Sequence, residues 1–357
     1  MRKSNFELLR LICMFLVLIL HANFLSIGAP VYDEIPKAEF FIRSIIEVIP
    51  FLAVNVFILI SGYFSIRPSI KSVTNLLFCC LFYSVGIRCV YYIICWTTGC
   101  QPLVGFLSSF YFVSMSVWFV ADYLMLMIFA PILNSFVEKV SNKTLITTVG
   151  SMLFFAFYFG LFRGVLVEYI SGYSFVTFIL LYMIGRILHQ NKEWIDKKIG
   201  FLATCGGYLV GLVGLFLIVI IAGVRGHDYY FYLDDLGTSR IFTYTNPFLI
   251  LSAVCFFWLF ARKEFYSPTV NKLSKSVFAI LLIHSNPVSI TFYNKYFKYI
   301  YDHMGLVQYL GVMLVSCVAV FFLSIMIDQL RILIYEKWIS PLSVKISDKL
   351  KDKYEII

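Results

Sequence analysis

The chain has 357 residues, 61% of them hydrophobic and only 14% charged, with a mean hydropathy of +0.86. A water-soluble domain of this length is far more polar, and apolar stretches of about 20 residues, each long enough to cross a bilayer, recur along the whole sequence. The net charge of +9 forms no basic stripe of the kind that reads nucleic acid; nucleic acid is excluded as a partner, the lipid bilayer is expected, and the excess Lys and Arg mark cytoplasmic loops.

Ten apolar stretches follow one another at 8–27, 46–65, 76–97, 115–134, 145–163, 173–189, 201–223, 246–262, 276–293 and 306–334. Each is expected to be helical, because in lipid a backbone must satisfy itself or close into a barrel, and these runs are too long for barrel strands. The expected fold is an all-α, polytopic membrane bundle over residues 1–340, with a short charged tail at 341–357. If the N-terminus is cytoplasmic, 21 of the 29 Lys and Arg lie on inner segments and seven on outer ones, with Arg88 inside the third stretch. That asymmetry places both termini in the cytoplasm. Arg2 and Lys3 before the first stretch, and "SIGA" at 26–29, also fit a signal peptide, but the polar residues within the stretch argue for its retention.

The first stretch, "NFELLRLICMFLVLILHANF" (5–24), carries Arg10 and His21. Eleven residues at about 100° each make three turns plus about 20°, so both side chains lie on one face, about 16 Å apart along the axis. Ionisable groups at this depth face a bundle interior or a wet cavity. A snorkelling Arg with a hydrogen-bonded His is the plain alternative; the shared face favours function. The second stretch ends in "NVFILISGYFSIRPSIK" (55–71), where Asn55, Ser61 and Tyr63 bring polar groups into the helix, Gly62 allows close backbone approach, and Arg67 and Lys71 follow at the interface. Taken singly, these residues read as ordinary helix packing.

Further along, Asp122 and Arg88 lie in helices, where they can pair with each other or with His21. His284, in "LIHSNP", sits near the outer end of the ninth stretch, where it can touch a substrate or form a structural hydrogen bond. His189, His227 and His303 read as loop or interface residues. The aromatic outer loop 224–245 suits stacking on sugar rings, though an interfacial aromatic belt explains it more simply. The nine cysteines form no C-x-x-C, and most lie in apolar stretches, where Cys acts as a small hydrophobe. No disulfide framework, metal site or phosphate-binding glycine loop is expected.

The R-x10-H spacing of Arg10 and His21, followed by Asn55 and the "SGYF" block, resembles the membrane acyltransferase 3 family. The resemblance continues through "VWFVADYLMLMIFAPILN" (117–134), "GYSFVTFILLYMIGRIL" (172–188) and "SKSVFAILLIHSNP" (274–287). It implies a ten-helix O-acyltransferase of the bacterial cytoplasmic membrane. The acyl group, above all acetyl, would pass from acyl-CoA, a donor substrate rather than a bound cofactor, to a hydroxyl of a surface polysaccharide or its lipid-linked precursor. It also implies that Arg10 and His21 form the essential pair, supported by Asn55, Ser61, Tyr63, Arg67 and Trp118. His21 can serve as a general base or be acylated itself, while the Arg10 guanidinium suits phosphate. No extracytoplasmic hydrolase-like domain of the kind some members carry is expected, and the basic cluster after SGYF is thin. A transporter or glycan flippase is the rival class, against which stands the absence of paired interrupted helices in two matching halves; a non-catalytic membrane subunit is a third.

Overall fold

A computed structural model describes residues 3–102, 118–162, 172–224 and 243–354. Most of the outer loop at 224–245, with His227, therefore lies outside the described residues. Each of the ten apolar stretches is mainly helical over its described part, the ninth being interrupted at Ser285–Asn286. Among the described residues, six helical segments are long and apolar enough to cross a membrane: Ser4–Leu25, Lys37–Phe64, Ile70–Thr98, Trp118–Lys139, Phe201–Val224 and Leu306–Ile346. A bent pair, Pro268–His284 and Pro287–His303, makes a seventh if counted as one span, and Phe175–Gln190 and Pro247–Ala261 are shorter apolar helices.

The hub is α1 (Ser4–Leu20), around which pack α2 (Lys37–Phe51), α3 (Ala53–Phe64) and several later helices. Its residues Leu9, Cys13 and Leu18 are fully buried. Phe6 fills the space between Tyr63, Phe64 and Phe257, with ring centroids 5.3, 4.8 and 5.5 Å away. Polar anchors fix the start of α1: the Asn5 amide donates to Phe260 O at 2.9 Å, and Ser4 Oγ meets Asn271 Oδ1 at 2.9 Å.

At its far end α1 passes into a π-turn, His21–Leu25, which contains a non-helical residue, Asn23. Such a turn frees backbone carbonyls that must find other donors. Side chains meet the carbonyls here: Tyr309 OH donates to Ala22 O at 2.5 Å, Ser26 Oγ lies 2.5 Å from His21 O, and Tyr293 OH donates at 2.7 Å to Leu18 O, which also accepts from the His21 backbone N–H.

After α4 (Ile70–Thr98), α5 (Trp118–Lys139) and α6 (Asn142–Phe162) comes α7 (Phe175–Gln190), which packs backbone to backbone on α3. A Cβ on Gly62 would collide with the Tyr182 carbonyl, and one on Gly185 would lie 2.5 Å from Leu59 O. The close approach expected at Gly62 is therefore present, and the family-like Asn134 and Tyr182 lock the chain just beyond it. Tyr182 OH donates to Asn134 Oδ1 at 2.7 Å, and Asn134 Nδ2 to Ile66 O at 3.0 Å.

The chain continues through α8 (Lys192–Lys198), α9 (Phe201–Val224), α10 (Pro247–Ala261) and α11 (Pro268–Leu273). The ninth apolar stretch, expected to be one continuous span, is instead broken into α12 (Val277–His284) and α13 (Pro287–His303), bent by 78°. The cause is local. Pro287 has no N–H to continue the ladder, and it pushes the preceding residue into extended backbone; Asn286 lies at φ −56°, ψ 139°. The Asn286 side chain then caps α13 by accepting from Val288 N at 3.0 Å. The last long helix, α14 (Leu306–Ile334), passes through a π-turn into α15 (Ser340–Tyr354), which includes most of the charged tail.

Candidate active site

Positions 10, 14, 17 and 21 fall on one helical face, and Arg10, Met14, Val17 and His21 all line a single cavity of about 940 Å³. Its lining combines two sets of residues: a polar and basic set, Ser72, Asn75, Lys275 and Arg331, and an aromatic set, Trp118, Tyr173 and Tyr244, with one carboxylate, Glu47.

Arg10 Nη1 donates to Glu7 Oε1 at 2.7 Å, one turn back on α1. Glu7 is almost fully covered while the Arg10 side chain remains partly open, so this pair aims the guanidinium and leaves part of its fork exposed. Arg331 is more firmly held. Two of its nitrogens donate to Asp328 at 2.7 and 2.9 Å and a third to Asn75 Oδ1 at 3.1 Å, while Tyr83 OH also donates to Asp328 at 2.7 Å. Arg331, one of the inner-segment charges of the sequence reading, is thus a buried element of helix packing at the cavity wall.

At the far end of α1, His21 Nδ1 lies 3.0 Å from His284 Nε2, and His284 Nδ1 lies 2.6 Å from Ile280 O. The Ile280 carbonyl can only accept, so His284 donates to it through Nδ1–H. Its Nε2 is then the acceptor, and His21 must donate through its own Nδ1–H. The chain of bonds leaves the lone pair of His21 Nε2 available to the cavity. A carbonyl thus fixes the tautomer of one imidazole, and that imidazole fixes the next.

The candidate residues from the sequence divide into two sets. Arg10, His21, Ser61 and Trp118 line the cavity. Ser61 Oγ donates back to Phe57 O at 3.0 Å and lies 3.4 Å from Tyr123 OH. Trp118 stacks on Tyr244 at 5.5 Å and meets Tyr173 edge-on at 4.7 Å. The others lie elsewhere. Asn55 is fully buried and donates to Tyr244 O at 3.0 Å, and Tyr63 is buried in the aromatic cluster around Phe6. Arg67 is exposed beyond the end of α3. His284 is buried behind His21 rather than open to the cavity, with only 2% of its surface exposed. Asp122 forms an ion pair with neither Arg88 nor His21.

Sequence reasoning missed Glu47, which lies just inside the second apolar stretch at 46–65 but was not singled out; it also missed Arg43, because the helical segment begins at Lys37 rather than at 46 and carries both into the interior. A carboxylate within an apolar helix was the available signal. It also missed the π-turn after His21, which has no sequence signature comparable with a proline.

Residues 3–328 match the acyltransferase 3 family, described as an acyltransferase domain. No curated protein and no solved structure matches the chain. With nearly the whole sequence matched and the R-x10-H face set along one cavity, the chain belongs to the acyltransferase 3 family of membrane acyltransferases.

Proposed function

We propose that this acyltransferase is an O-acetyltransferase of the bacterial cytoplasmic membrane. It takes acetyl from acetyl-CoA on the cytoplasmic side and places it on a sugar hydroxyl of a surface polysaccharide or its lipid-linked precursor. The observation that carries this reading is the single cavity that holds Arg10 and His21 on one wall, separated by about 16 Å along the helix axis. That span is comparable with an extended pantetheine arm. A CoA phosphate at the Arg10 end meets a planar, permanently charged fork, while the thioester reaches the His21 end. His21 Nε2 then takes the proton of the acceptor hydroxyl as its oxygen attacks the thioester carbonyl. The carbon–sulfur bond breaks as the tetrahedral intermediate collapses, and the proton on His21 passes to the departing thiolate. The products are an acetyl ester and CoA–SH, and His21 returns to its starting state.

The matching topology has ten spans, with both termini and the Arg10 end of the cavity in the cytoplasm, as the distribution of Lys and Arg supports. Two experiments test the reading. Mass spectrometry of surface glycans from cells with and without the protein should show added acetyl esters; altered glycan quantity without new esters would indicate transport and overturn it. A cysteine placed at Asn191 should resist labelling by a membrane-impermeant reagent applied outside, and its labelling would reverse the orientation.

A further inference from the structure

Glu47 has no role in the proton transfer just described, yet it borders the same cavity, and its placement is built rather than incidental. Oε2 accepts from Asn23 Nδ2 at 2.9 Å and from the Phe24 backbone N–H at 3.3 Å. Both donors belong to the π-turn that begins at His21, so the carboxylate is fastened to the same short segment as the base. Its other oxygen, Oε1, has no hydrogen-bond partner among the described residues. Nor does Glu47 form an ion pair there: Arg43, one turn away on α2, instead reaches Gly28 O, Tyr301 OH at 3.2 Å and Glu39 at 3.9 Å.

The wall beside Glu47 is built on a stack of aromatic rings. Phe51 follows four residues later on the same face of α2. Its ring stacks on Tyr244 at 4.9 Å and 9°, and Tyr244 stacks in turn on Trp118 at 5.5 Å and 29°. Tyr173 closes the group, 4.8 Å from Tyr244. All four aromatics line the cavity with Glu47 and His21. An apolar, aromatic wall with one placed hydrogen-bonding group orients a small ligand. A sugar ring offers the complement, with C–H faces that lie on aromatic rings and hydroxyls that pair with a carboxyl oxygen.

We infer that Glu47 and the Phe51–Tyr244–Trp118 wall form the acceptor subsite, where Glu47 Oε1 binds one ring hydroxyl and turns a neighbouring hydroxyl toward His21. This rests on the reading of the protein as a sugar O-acetyltransferase and adds the residues that hold the sugar. Glu47 is then a specificity-determining residue, and the π-turn after His21 is the device that couples base to acceptor site.

The test uses membranes containing the full chain, radiolabelled acetyl-CoA, and surface glycan isolated from cells lacking the protein. Glu47→Gln keeps a carbonyl oxygen for Asn23 and Phe24 but presents an amide N–H₂ where Oε1 faced the cavity; Phe51→Leu removes the stacking ring and leaves the carboxylate intact. Both should raise the apparent KM for glycan, Glu47→Gln by about threefold to tenfold, as expected for a lost hydrogen bond. In both, the thermal stabilisation of the purified protein by acetyl-CoA should stay as in the unsubstituted chain. A merely structural role would lower activity without this KM shift, or would lose the acetyl-CoA response as well, and either result overturns the proposal. If the unsubstituted chain acetylates glycan and both variants do so with unchanged KM, the acceptor subsite alone falls. If the unsubstituted chain transfers no acetyl, the functional reading fails and takes this inference with it.

Discussion

The first and ninth apolar segments each bring one histidine to the same point, 3.0 Å apart, by opposite means. In α1 a regular helix sets Arg10, and His21 directly after its last residue, along one cavity, so the rise of the helix sets the distance between them. In the ninth segment the helix stops immediately after His284 and turns by 78°, which leaves that imidazole at a buried helix end with a carbonyl of its own helix as partner. The continuous helix sets the spacing of Arg10 and His21, and the broken one supplies a fixed support for His21. His21 lies at the junction of the two designs, where α1 gives way to a π-turn.

This division of labour predicts unequal sensitivity. The largest effect should come from His21→Gln, which retains a side-chain donor for His284 but no basic nitrogen. Positioned acid–base catalysis contributes about 10²–10⁴-fold, so acetyl transfer to glycan, followed with radiolabelled acetyl-CoA, should fall by that order while the folded protein still responds to acetyl-CoA. Near-normal transfer by well-folded His21→Gln protein would make His21 a second support rather than the base.

His284 should matter less, and in a way that can be rescued. His284→Leu removes the acceptor that orients His21, and misplacement of a reacting group by about 1 Å can cost about 10²-fold. His284→Gln offers a carbonyl to His21 Nδ1–H and an amide N–H to Ile280 O, so it should recover much of the rate. A comparable loss in both variants would mean that the imidazole itself carries protons, and the contrast between the two segments would collapse.

At the opposite end of α1, Arg10→Ala should weaken acetyl-CoA binding by roughly tenfold or more, the scale of one lost charge-assisted hydrogen bond. It would register as a smaller thermal shift at fixed acetyl-CoA, since a ligand stabilises only the state it binds. Arg10→Lys keeps the charge without the fork and should fall between the two. An unchanged shift in both would remove Arg10 from the donor site and leave α1 with a single functional end.

The two segments also differ in how far they could be read from sequence. In α1 the eleven-residue spacing was enough, because helical geometry converts spacing directly into a shared face. The contact across Gly62 was legible for the same reason: a small residue within a long apolar helix marks close packing. The ninth segment carried its own break signal, Asn286–Pro287, but the strongly apolar run before it, continued by Val288 to Tyr293, made it read as one span. What no local pattern contained was partnership across the bundle. The pairing of His21 with His284 joins residues 263 apart, and the fastening of Glu47 to the π-turn joins helices whose order around α1 the sequence does not specify.

The smallest effect should separate local from tertiary control of the bend. Asn286 accepts from Val288 N at 3.0 Å and thereby caps α13. Asn286→Ala removes that cap, at a typical cost of about 1 kcal/mol, and should lower the thermal midpoint in detergent by a small but measurable amount. Asn286→Asp, which keeps an acceptor oxygen, should recover most of it. Neither should greatly change acetyl transfer, because Pro287 still denies the ladder an N–H and still holds residue 286 extended; His284 would remain at a helix end. Pro287→Ala together with Asn286→Ala removes both local causes. If that double variant still transfers acetyl at close to the normal rate, packing around His284 rather than the Asn–Pro pair maintains the break. If transfer instead drops toward the level of His284→Leu, the two residues that end α12 are what place the support behind His21.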